Sequence, residues 1–191
     1  MKMYKSLFLL FFLSSSCSAD IDRKLYWDNL LSNPDKMTFE PFADAISENT
    51  KTCGWGKKEN LMIVPVDKGQ KLYKLIAKGN EYAFRAGLLV LKCLDGGELG
   101  DFHRSGGLLF EENKDVFLKV AKEGLIPKSN LKSMLVMLPL NSVDDFDQQI
   151  SIVQKRIAIL NEDSFKDLKK IYLTYLEQEL ENIKKVKIKD N

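Results

Sequence analysis

The sequence predicts an all-α fold: irregular stacked αα-hairpins followed by a long C-terminal helical hairpin. Three observations predict it. Between Asp67 and Gly124 the chain breaks into four segments that open on Asp67, Asn80, Asp95 and Asn113. Such side chains accept the free N–H groups of a helix's first turn. The first and last segments close on Gly79 and Gly124, and glycine tolerates the left-handed conformation that ends a helix. Within the segments apolar residues recur at three and four, as at Ala83, Phe84, Gly87, Leu88 and Leu91. That spacing puts them on one helix face. No run has an alternating partner, so no sheet is expected.

Taken in order, the first nineteen residues read as an export signal rather than as part of the fold. Lys2 and Lys5 form a positive start, Leu7 to Leu13 an apolar stretch, and Ser14 to Ala19 a run of small residues. The stretch is far too short to span a bilayer. Two ends are open to it. Cys17-Ser18-Ala19 suits an ordinary signal peptidase, with Asp20 as the new start. Ser14-Ser15-Ser16-Cys17 resembles a bacterial lipobox, with Cys17 lipidated; Leu13 sits one position early for that box, which favours soluble export.

Residues 20–183 are read as a single helical domain. Ile21 to Leu31 is the first helix, broken at Asn33-Pro34-Asp35. Phe39, Phe42, Ala43 and Ile46 mark the second, with Pro41 near its start, where a missing N–H is tolerated. Thr50 to Gly56 is a turn. Asn60 to Val66 carries a proline in its midst and reads as extended linker or helix start, not as a central strand. The four capped segments follow. Ser129 to Leu138 fits a short helix stopped before Pro139.

Asn141-Ser142 then opens a long periodic segment. Phe146, Ile150, Val153, Ile157 and Leu160 are spaced four, three, four, three. Asn161 to Ser164 is a turn. The last helix carries a seam of Phe165, Leu168, Ile171, Tyr172, Tyr175, Leu176, Leu180 and Ile183. Two long helices joined by a short turn lie antiparallel. Residues 184–191 form a basic tail expected to fray.

The region Asp67 to Gly124 resembles HEAT-like and other α-solenoid helical repeats. The residues that carry this are Ala83, Phe84, Leu88 and Leu91 of the second segment, with Leu108, Leu109, Phe117 and Leu118 of the next pair. No clean internal repeat accompanies them. The resemblance implies stacked helices used as a binding surface, and it implies no catalytic residue.

Charge excludes one class of partner. The chain has 29 Lys+Arg and 27 Asp+Glu. Lys2 and Lys5 leave with the signal, which lowers the first figure to 27 and makes the mature chain formally neutral. A nucleic-acid binder needs a basic excess to release phosphate counterions. Cysteine parity fits export: with Cys17 removed or lipidated, Cys53 and Cys93 remain as one expected disulfide. It would close a loop of some forty residues and stabilise by about 3–4 kcal/mol. Two unpaired thiols are the alternative.

Residues with chemistry concentrate in the third segment. Glu98, Asp101 and His103 could be drawn together as an envelope enzyme's site, but i and i+2 on a helix point apart. The E-x-x-H and H-E-x-x-H spacings are missing, so no metal, cofactor or catalytic set is expected, and His103 reads as a surface histidine. Ser105 lacks a nucleophile elbow and an acidic partner for a base. Gly96, Gly97, Gly100, Gly106 and Gly107 weaken this helix. Such glycines admit a close approach, by a neighbouring helix or by a partner. Glu98, Asp101, His103, Arg104, Gly106 and Gly107 are therefore the candidate binding residues. Trp55, between two glycines beside Cys53, joins them as a residue either packed over the disulfide or offered as a contact anchor. The functional expectation is an exported bacterial protein that binds a protein partner in the periplasm or envelope, an immunity-type inhibitor being one form. Contact with a membrane is expected only through a lipid at Cys17.

Overall fold

The computed structural model describes residues 23–50, 53 and 64–190. These residues form nine helices: α1 (Arg23–Ser32), α2 (Lys36–Thr50), α3 (Val66–Ala77), α4 (Glu81–Val90), α5 (Gly96–Glu112), α6 (Lys114–Lys122), α7 (Lys128–Val136), α8 (Phe146–Leu160) and α9 (Lys166–Asp190). Short 3₁₀ turns at Leu91–Cys93, Leu140–Ser142 and Asp163–Phe165 join three of them to their neighbours. There is no strand among the described residues, as the fold class requires. None of these helices is long and apolar enough to cross a membrane.

Two of the four expected caps form, at Asn80 and Asn113; α3 instead begins at Val66, ahead of Asp67, and the Asp95 side chain accepts no N–H at the start of α5. Asn80 Oδ1 accepts from Ala83 N at 2.8 Å and starts α4. Gly79 sits at φ +89, a left-handed value that favours glycine. There Asn80 N bonds Leu75 O and Gly79 N bonds Ile76 O, the paired bonds that close a helix C-terminus. One boundary moves. Asp35 and Thr38 bond reciprocally, side chain to backbone N–H, and this capping box starts α2 at Lys36. Pro41 therefore lies inside α2 and not near its start.

The first six helices form three hairpins stacked on one another. α1, α3 and α5 make one layer; α2, α4 and α6 make the other. The turns meet along one edge. Asn80 Nδ2 donates to Pro34 O at 3.0 Å, and Asn113 Nδ2 donates to Gly79 O at 3.1 Å. Each cap asparagine thus ties its own turn to the turn before. Lys114 continues the edge to Glu162, in the α8–α9 turn, at 2.6 Å.

Beyond α5 the chain adds α7 to the first layer, and α8 and α9 close the molecule as an antiparallel pair. Lys187 near the end of α9 pairs with Asp147 in the first turn of α8. The segment read as a basic tail is helical to Asp190. The α9 seam is also narrower than expected: Ile171 and Tyr175 are exposed, and Lys132 Nζ lies 3.8 Å from the centre of the Tyr175 ring.

One connected apolar core runs from Trp27 to Ile183. Its spine is a series of buried rings. Phe102 faces Phe84, Phe84 faces Phe117, Phe117 faces Phe110, and Phe110 faces Phe165, at 5.0 to 6.1 Å between centres. Gly87 makes room for it, since a Cβ there would stand 2.4 Å from Phe102.

Against this apolar spine stands one buried cation. Arg156 of α8 is fully buried. Its Nε donates to Glu111 Oε1 at 2.9 Å, and its Nη1 donates to the carbonyls of Leu135 and Met137, each at 2.9 Å. Nη2 stands 2.8 Å from the same carboxylate oxygen, an ionic contact rather than an aligned hydrogen bond. A Cβ on Gly107 would come within 2.7 Å of both Nη2 and Met134 O, and one on Gly106 within 2.7 Å of the Met134 side chain. The paired glycines of α5 are thus the seat for α7 and for Arg156.

Arg156→Ala should destabilise the protein by about 3–5 kcal/mol, since it leaves the buried Glu111 side chain without its guanidinium partner and with only the looser Lys155 contact at 3.8 Å. Gly107→Ala should cost about 1–3 kcal/mol through overpacking. Urea melts read both. Combining Arg156→Ala with Glu111→Ala should cost less than the two single changes added together; strict additivity would show that the pair is not coupled.

Candidate functional site

α5 is packed on α3 at one side, on α7 at another and on α6 and α8 besides. Its residues therefore part company according to which neighbour they meet. Gly106 and Gly107 face α7 and α8 and are buried. They serve internal packing, and the expectation of a partner approaching there is corrected.

His103 is corrected as well. It is only 6% exposed, because its position on α5 turns it toward α7. There its Nε2 lies 3.0 Å from Nδ2 of Asn130. Burial holds its pKa below the ordinary histidine value. Asn130 also borders an apolar groove of about 370 Å³ lined by Leu88, Leu94, Leu99 and Leu125.

Asp101 and Arg104 turn the other way, toward α3. With the end of the Pro139–Asn141 turn, α3 and α5 enclose an open cleft of about 340 Å³. Its deepest lining residues are Tyr73, Ser105 and Pro139, all buried; Gln70, Lys74 and Leu140 are exposed at its rim. Arg104 Nη1 donates to Asp101 Oδ1 at 3.2 Å, and Gln70 Nε2 donates to Asp101 Oδ2 at 3.3 Å. Bare Gly100 lets the guanidinium fold back along α5: a Cβ there would stand 3.1 Å from Arg104 Nη1. Ser105 Oγ is satisfied by Asp101 O at 2.8 Å.

Three donors on residues that line the cleft lack partners among the described residues. The Tyr73 hydroxyl and Arg104 Nε are buried without a hydrogen-bond partner. Lys74 has no ion-pair partner among the described residues. Burial, and then the carboxylates of Glu98 and Asp101, push the Tyr73 phenol well above its usual range, so it stays a neutral donor. Glu98 is half-buried, and its pKa is raised first by burial and then by Asp95 and Asp101.

The sequence therefore named two residues of the cleft, Asp101 and Arg104, and missed Gln70, Tyr73, Lys74 and Leu140. A signal was present: Gln70, Lys74 and Ala77 repeat at four and three beside the buried stripe of Leu72, Tyr73 and Ile76. Glu98, Asp101 and His103 do not converge, since His103 faces α7. No group of three His, Cys, Asp or Glu among the described residues could hold a metal ion. A larger hollow of about 550 Å³ lies on α9 alone, lined by residues such as Thr174, Gln178 and Glu181; one helix face encloses nothing.

Cys53 and Cys93 are joined, with Cα atoms 5.1 Å apart, and tie the segment after α2 to the 3₁₀ turn after α4. Trp55 and Cys17, like the export signal, lie outside the described residues. No family model, curated protein or solved structure matches this sequence.

His103 sets a pH dependence of stability. In the unfolded state a histidine takes up a proton near pH 6.5; in the fold its pKa is lower. Between the two values the unfolded state binds more protons, so stability rises with pH there. It is fully present above about pH 6.5 and declines as pH falls below. His103→Gln should flatten the difference between urea midpoints at neutral and mildly acid pH; an unchanged difference would assign the effect elsewhere.

Proposed function

We propose that this is an exported bacterial protein that binds a protein partner in the periplasm or envelope, with the α3–α5 cleft as its docking site. The observation that carries the reading is the cleft's surplus of unpartnered donors. Buried donors without acceptors each cost about 1–3 kcal/mol, and an acceptor supplied from outside would remove that cost. An immunity-type inhibitor, blocking a toxin aimed at the cell envelope, is the specific form that suits a small exported helical protein. The Cys53–Cys93 bond supports export, since such bonds persist in oxidising compartments. The competing reading, an envelope enzyme using Glu98, Asp101 and His103, loses support from the opposed directions of Asp101 and His103.

Export predicts that intact-mass measurement of protein from its native host finds the first nineteen residues gone, or a diacylglyceryl group on Cys17. A product that keeps Met1 ends the extracytoplasmic reading. Docking predicts a second result. A photo-crosslinking residue at position 74 should trap one defined envelope protein in the native host, while the same residue at Ile171 on α9 traps none. Crosslinks from 171 alone would move the binding face; crosslinks from neither would remove the partner.

A further inference from the structure

We infer that His103 is a proton-sensitive latch on the first turn of α7: taking up a proton, it releases that turn and widens the apolar groove beside it. The inference stands apart from the α3–α5 cleft and from the identity of any partner. His103 is the chain's only histidine, and it lies on α5, buried against α7. Its Nε2 meets Asn130 Nδ2 at 3.0 Å. Ser129 Oγ donates to Asn130 Oδ1 at 3.3 Å. The amide therefore turns its NH₂ to the ring, and Nε2 accepts. Only a neutral imidazole accepts there.

A proton on Nε2 would set donor against donor. Turning the amide over would supply an oxygen but no charge, and the surroundings supply none either. α7 holds no acidic residue, and Lys128 and Lys132 stand two positions either side of Asn130. Pro127 gives its N-terminus no side-chain cap, so free N–H groups add partial positive charge at that turn. Lys92, from the turn after α4, lines the same groove. The carboxylates of the neighbouring elements are engaged elsewhere: Asp101 by Arg104, Glu123 by Arg85 and Glu111 by Arg156. Glu98 acts on Tyr73, and Asp95 on Glu98. Burial alone lowers the pKa of His103, as befits a ring with no carboxylate beside it.

The turn that His103 holds is one side of the groove. Leu125, Pro127 and Asn130 line it there; Leu88, Leu94 and Leu99 line it from α4 and the start of α5. The other end of α7 is pinned. Arg156 holds the carbonyls of Leu135 and Met137, and Met134 sits over Gly106. Losing the His103–Asn130 contact thus frees the first turn and leaves the last in place. The sign follows from linkage. A released histidine titrates near pH 6.5, and the held one lower. Between those values the released form binds more protons. Its share therefore rises as pH falls, by at most about tenfold per pH unit.

Amide hydrogen exchange of the full ¹⁵N-labelled chain tests the latch at about pH 7.5 and about pH 5.5, with intrinsic rates corrected for. Protection of the Leu131, Lys132 and Ser133 amides should fall about five- to tenfold on acidification, while Val153 and Ile157 of α8 keep theirs. A neutral apolar dye, N-phenyl-1-naphthylamine, should bind more strongly at the lower pH. His103→Gln should remove both responses. Asn130→Asp should reverse the first, because its carboxylate faces Nε2 and favours the charged ring: the α7 amides become better protected in acid. Equal loss across α7 and α8 would report global unfolding and overturns the latch. So does an unchanged α7 in the native chain, a response that survives His103→Gln, an Asn130→Asp chain that still loses protection in acid, or dye bound equally at both pH values.

Discussion

Arg156 brings a full positive charge to a place with no solvent, and three helices meet where it lies. It belongs to α8, it neutralises Glu111 of α5, and it donates to the last carbonyls of α7. Those carbonyls have no partner within their own helix and carry the negative end of its dipole. One guanidinium thus satisfies a carboxylate and a helix terminus together. Desolvating the charge is expensive, and a well-packed apolar group could rival the pair in stability. What the ion pair adds is register. Displaced by one turn, α8 would leave a buried charge without its carboxylate, and α7 would lose its C-terminal cap.

That register propagates. Because Arg156 needs the space beside α5, Gly107 must lack a side chain, and because Met134 of α7 fills the next hole, so must Gly106. With α7 and α8 fixed on one flank of α5, the opposite flank is left to α3. The asparagine ladder along the turn edge controls that flank independently, by tying the turns of successive hairpins together. Between these two constraints α5 is held from both sides, and the gap between α3 and α5 takes a set shape. Its polar side chains are consequently presented by helices, not by a loop, which suits a site that must hold donors in a given geometry.

How much of this was legible in the sequence depends on the kind of signal. Cap residues and three-and-four spacing mark where helices begin and which faces are apolar, so the stacked hairpins and the terminal pair were readable. Asn80 and Asn113 were readable as caps, because capping is local. Their second bonds, to turns one hairpin back, were not, because those bonds depend on stacking. Arg156 falls between Val153 and Ile157 of the apolar stripe, and the spacing alone does not single it out. The face of α8 that enters the body includes Gln149 and Arg156, shifted by one position from that stripe. Gln149 is held there by the carbonyls of Ser142 and Val143, at 2.8 and 2.7 Å. His103 failed in the same way. A polar residue on a helix that is enclosed around most of its girth is buried whatever its polarity, and periodicity does not report the enclosure.

The glycine cluster on α5 shows how composition singled out a helix for reasons the packing explains only in part. Glycines lower helix propensity, so five in one segment call for an offset. For Gly106 and Gly107 the offset is internal: α7 and Arg156 occupy the space a side chain would need. Gly100 differs, because the group that fills its space is Arg104, part of the cleft itself. A methyl there would push the guanidinium away from Asp101 and alter the donor set. Three of the five glycines thus have two tasks, two at the C-terminal half fastening the helix into the core and one further back beside Arg104, while Gly96 and Gly97 stand in open space. Local rules are broken on both faces, but only in the core do neighbouring groups of the same molecule make up the loss. On the cleft side the Tyr73 hydroxyl and Arg104 Nε have no hydrogen-bond partner among the described residues. Arg156 Nη2 shares that lack in the core, where the Glu111 carboxylate 2.8 Å away compensates it by charge.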